Sequence, residues 1–140
     1  MTRPLILLAL ASLVFLASNE AFGYGAAYRI AYGAFTLMAA MISLTFLWLW
    51  ARRATPLAIG MSFGWAGAAS VMGWWWTFNV LHGPKWMVDN PLLLVFLSIY
   101  FVGATLHFQV ISRSFGSDGR GWIWPVAASL AVSLAVHFLA

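Results

Sequence analysis

A chain of 140 residues that is 64% hydrophobic and only 7% charged is too apolar for a soluble globular domain, in which about a quarter of residues are charged. The same balance excludes a disordered tail, and without a cluster of four basic residues the net charge of +4 does not make a nucleic-acid reader. Cysteine is absent, which removes disulfides, thiolate metal sites and cysteine nucleophiles.

The seven basic and three acidic residues cut the sequence into uncharged runs close to the ~20 residues that cross a bilayer. The chain therefore reads as an all-α integral membrane protein. It forms one domain over residues 1–140, a bundle of five transmembrane helices at residues 4–23, 28–51, 56–81, 91–112 and 121–140. Apolar positions run continuously, without the period-two alternation of barrel strands.

In chain order, Arg3, the apolar run 5–17 and the small residues Ala21 and Gly23 have the layout of a signal peptide. They are taken as an uncleaved first span; removal would leave four spans in the same orientation. Glu20 lies late in this span, near the outer leaflet, and an ionisable group at membrane depth is a default functional candidate. Its expected role is an ion pair with Arg29 across the Gly23–Gly25 turn, pinning the first two spans. Handling of a proton or cation is the sharper alternative, with His82 or His137 as further partners.

Thr55-Pro56 opens the third span with a capping side chain before a proline suited to the first helical position. Gly60 and Gly64 form a G-x-x-x-G pair that Ala68 extends, a stripe that lets another backbone approach closely. Packing within the bundle is the simplest use of it; a subunit interface or a ligand groove is the alternative. The fourth span opens on Asn90-Pro91. Ser98, Thr105, Gln109 and Ser112 fall on one of its sides, and Tyr100, Gly103 and His107 form an adjacent stripe. Hydroxyls in such stripes face other protein segments or bond to their own helix backbone.

The fifth span follows a turn at 116–121 that contains Asp118-Gly119. Pro125 either sits in its first turn or starts a shorter helix near Trp124. Ser129, Ser133 and His137, at i, i+4 and i+8, share one face, and Ser129 and Ser133 are expected in helix packing.

Arg3, Arg52, Arg53, Arg113 and Arg120 fall on one side of this layout, Arg29 and Lys85 on the other. The positive-inside rule then places the N-terminus in the cytoplasm and the C-terminus opposite, in a cell inner membrane. Trp48, Trp50, Trp122 and Trp124 mark the inner boundary and Trp74, Trp75, Trp76 and Trp86 the outer one, as two aromatic belts. Trp65 alone falls mid-span.

H-E-x-x-H, P-loop and dinucleotide motifs are all missing, so the reading leans away from an enzyme. His82 and His137, on the outer side with Trp75 and Asp89, could frame a lipophilic ligand: one b-type haem, a quinone or a pigment. His107 lies at a different depth from His137. No spacing supports a metal site.

Five spans, this length and nine tryptophans are similar to the tryptophan-rich sensory proteins that bind tetrapyrroles, but the W-x-P-P-like element of that family is missing. The small multidrug transporters are similar in size, yet they have four spans and a carboxylate central in the first, where Glu20 stands too late. No functional residue is carried over from either group. The expectation is a non-enzymatic helical-bundle subunit in a larger membrane assembly, with lipid and a protein partner or a second copy as neighbours and no nucleic acid. The alternatives are a homo-oligomeric transporter or channel using Glu20, and the lipophilic-ligand binder.

Overall fold

The structure, a computed structural model, describes residues 2–116 and 120–139. It contains five helices: α1 (Thr2–Phe22), α2 (Tyr24–Arg53), α3 (Pro56–Val80), α4 (Leu92–Ser114) and α5 (Ile123–Leu139). A 3₁₀ turn, Lys85–Met87, lies between α3 and α4, and no strand occurs among the described residues. Three segments are long and apolar enough to cross a membrane: Arg3–Phe22, Tyr24–Arg53 and Lys85–Ser114. The 25 residues of α3 have sufficient length, but its glycines, serines and tryptophans leave it outside that group. The apolar α5 is shorter, at 17 residues.

Boundaries depart from the sequence reading where a single residue does the work of a turn. Only Gly23 separates α1 from α2, so α2 starts at Tyr24 rather than at 28. Its φ of 81° and ψ of 160° lie in a region essentially restricted to glycine. Arg29 lies inside α2, with its Nε–H donating to the Gly25 carbonyl at 3.2 Å. In α5, Pro125 occupies the first turn, where its missing N–H breaks no helical bond. The Asp118-Gly119 turn and Ala140, the expected end of the fifth span, lie outside the described residues. Asn90 caps α4, its Oδ1 accepting the Leu92 N–H at 2.9 Å. Thr55 precedes Pro56 without a side-chain cap bond.

The centre of the molecule is α3, with α2 packed along it on one side and α4 on the other; α1 makes a smaller contact with α2. Small residues set these distances. A Cβ on Gly33 of α2 would meet the Trp76 indole, one on Gly60 the backbone of Leu106 and His107, and one on Gly67 the backbone of Tyr100. A Cβ on Gly103 would run into the backbone at Gly64. Close approach of this kind supplies the van der Waals contact that drives helix association in lipid.

A reciprocal clasp fixes the register of α2 on α3. Ser43 Oγ donates to the Ser62 carbonyl at 2.9 Å, and Ser62 Oγ donates to the Ser43 carbonyl at 3.0 Å. The two residues are 8% and 4% exposed. Ser43→Ala and Ser62→Ala are each expected to lower stability by about 0.6 to 1.7 kcal/mol. The double variant should cost less than the sum, because each partner's loss already opens the clasp. Reversible unfolding in mixed micelles, run as a double-mutant cycle, checks both points; strict additivity would refute the clasp.

The two end helices are barely covered. From Arg3 onward, every residue of α1 except Ser18 and Asn19 is exposed. In α5 no described residue is buried.

Candidate functional site

A partly open cavity of about 460 Å³ lies between α3 and α4. Its floor is the small-residue stripe of α3: Gly60, Gly64 and Ala68. Across from it α4 contributes Tyr100, Gly103 and His107, which the helical repeat places on one face over two turns. Trp65 and Phe108 add aromatic walls, and Phe35 reaches in from α2. The space follows from the packing. Gly103 seats directly on α3, whereas a Cβ on Gly64 would meet no atom within 4 Å, so Gly64 looks into the void.

His107 brings polarity to this apolar space. Its Nδ1 is buried without a hydrogen-bond partner. Nε2 is not among the buried unpaired atoms and accepts or donates no bond among the described residues, which leaves it as the ring nitrogen open to a ligand. The Tyr100 hydroxyl likewise has no hydrogen-bond partner among the described residues.

A second cavity, of about 350 Å³, lies toward the other end of α3, between Thr36, Gly73, Trp74 and Phe96. Thr36 Oγ1 is buried and unpartnered beside it. One wall is an aromatic lock: Trp74 Nε1 donates to the Met87 carbonyl at 3.2 Å, and its ring meets Trp86 and Phe96 edge-on, both at 5.9 Å. Met87, 1% exposed, is thereby held under the α3–α4 connection.

The residues singled out from the sequence scatter. Glu20 and Arg29 are both exposed, and no ion pair joins them among the described residues; Arg29 is occupied with its own helix. His82, with φ 59°, Asp89 and His137 are exposed. Nothing links His82 to His137 by hydrogen bond or ring contact among the described residues. Trp75 is half-buried, its ring edge-on to Phe78 at 5.5 Å. No group of three metal-ligating side chains occurs among the described residues. Gly60, Gly64 and Ala68 stand at the α3–α4 cavity. Ser129 and Ser133 are exposed, and Ser129 Oγ donates to the Val126 carbonyl at 2.9 Å.

In the polar stripe of α4, Ser98 and Thr105 bond to their own helix, at the Leu94 and Phe101 carbonyls, whereas Ser112 Oγ accepts the Gly121 N–H at 3.1 Å. The neighbouring stripe, Tyr100–Gly103–His107, turns to α3 instead. Its glycine, placed between two residues with hydrogen-bonding side chains, was the signal that this face meets another small-residue face. Phe35 and Phe108 carried no such signal.

Comparison with family models, with curated proteins and with solved structures gives no match to this chain.

Proposed function

We propose that the chain is a non-enzymatic helical-bundle subunit of a larger membrane assembly, held in the inner membrane by five helices with its N-terminus cytoplasmic. The observation that carries this reading is the stripe Ser129–Ser133–His137 on α5. It lies on an otherwise apolar helix, and nothing within the chain buries it. Ser129 returns its hydroxyl to its own backbone, but Ser133 and His137 have no hydrogen-bond partner among the described residues. Hydrocarbon offers none, so a face of this kind is stabilised by a neighbouring protein segment. The uncovered apolar length of α1 is consistent with the same surroundings. A transport reading built on Glu20 has less behind it, because that carboxylate is exposed and lines neither cavity.

A photo-crosslinking residue at position 133, compared with one at 131 on the opposite face of α5, tests the proposal in native membranes. Position 133 is expected to capture one protein in constant stoichiometry, and position 131 chiefly lipid. Lipid adducts alone at both positions, with a monodisperse single-chain particle in mild detergent, would overturn it.

A further inference from the structure

We infer that the α3–α4 cavity is a binding site for a lipid-soluble quinone, whose ring carbonyl accepts a hydrogen bond from His107. The volume, about 460 Å³, falls within the ~300–1,000 Å³ of small-molecule sites. The floor of Gly60, Gly64 and Ala68 bears no side chain larger than a methyl, so it offers a flat surface. Trp65 and Phe108 supply aromatic edges and faces around it. Flat floor and aromatic walls suit a planar ring better than a single acyl chain.

The polar chemistry selects among planar rings. In its neutral form the imidazole has one donor nitrogen and one acceptor. Nδ1 is buried without a partner, and a buried unpaired N–H is the rarer and costlier kind of orphan. The proton therefore belongs on Nε2, which makes His107 a donor toward the cavity. Tyr100, two turns or about 10 Å away along α4, also lines the cavity. A largely apolar site with the His107 donor in its wall takes a lipophilic molecule carrying a carbonyl acceptor. Its position within the packed length of α3 and α4 makes the hydrocarbon its route of access. This assignment stands independently of the subunit proposal, since it uses none of α5.

The full-length protein in detergent is titrated with decylubiquinone, with decylbenzene as the analogue that keeps a ring and tail but lacks carbonyls. Saturable binding at one quinone per chain is expected, with decylbenzene weaker by about tenfold, the scale of one buried hydrogen bond. Gly64→Leu fills the void from a position where a Cβ touches nothing, and should abolish binding while leaving the unfolding transition in place. His107→Leu should weaken binding by about tenfold, and His107→Gln, which keeps a donor, should recover most of the loss. Equal affinity for both probes overturns the proposal, and this comparison needs no variant to fold. Unchanged binding in well-folded Gly64→Leu, or a Soret band showing haem in the purified protein, overturns it as well.

Discussion

Gly103→Ala is expected to destabilise the bundle by about 1 to 3 kcal/mol, the range for forcing extra volume into a packed contact. The added methyl would point at α3, 2.5 Å from Gly64 Cα and 2.7 Å from the Phe63 carbonyl carbon. Both obstacles are backbone, so neither can swing aside as a side chain would. The two helices must separate, and the Gly67–Tyr100 and Gly60–His107 contacts on the same seam loosen with them. Gly64→Ala is expected to do the opposite, although Gly64 is Gly103's direct neighbour and belongs to the G-x-x-x-G pair. Its Cβ would enter open space, and replacing a helical glycine by alanine favours the helix by up to about 1 kcal/mol. Unfolding titrations followed by circular dichroism distinguish the two variants. Similar losses for both, or no loss for Gly103→Ala, would contradict the seam described above.

Trp74 is the second position with a large expected effect. Trp74→Ala removes a nearly buried ring from contact with Trp86 and Phe96 and leaves the Met87 carbonyl without its indole donor. A loss of about 3 to 5 kcal/mol is expected from the removed ring, and Trp74→Phe should cost only about 1 kcal/mol, the hydrogen bond alone. Because the lock holds the α3–α4 connection, Trp74→Ala should also speed tryptic cleavage after the exposed Lys85. The adjacent Trp75, whose ring meets only Phe78 among the aromatic contacts, is the internal control. A Trp75→Phe variant as unstable as Trp74→Ala would show that tryptophan content, not this lock, stabilises that end.

Much of the helical layout was legible in the sequence because charges and prolines sit at helix ends: Arg52-Arg53 before Pro56, and Asn90-Pro91 before Leu92. Gly23 was legible as a turn but not as a break one residue long, since a second glycine at position 25 extends the turn chemistry toward the expected start at 28. The cavity was not legible as a whole. Both of its walls were visible as stripes, Gly60–Gly64–Ala68 and Tyr100–Gly103–His107, but their pairing depends on which helices are neighbours, and periodicity within a helix carries no such information. The scarce ionisable residues Glu20, His82, Asp89 and His137 stand out more in the sequence than either stripe, whereas the structure leaves each of these exposed. The sole histidine set apart by depth, His107, is the one with a buried, unpaired ring nitrogen.

The central place of α3 bears on how the proposed membrane bundle would assemble. α3 is not among the segments long and apolar enough to cross a membrane by composition, yet it is the least exposed of the five. An insertion machinery that sorts segments one at a time would hold α3 only weakly, until flanking segments screen its serines and glycines from lipid. The preceding helix in the chain is α2 and the following one is α4, the two that sandwich it. Biogenesis would then be cooperative across the α2–α4 unit: truncation after α3 would strand a segment free to slip back to the interface, and completion of α4 would commit it.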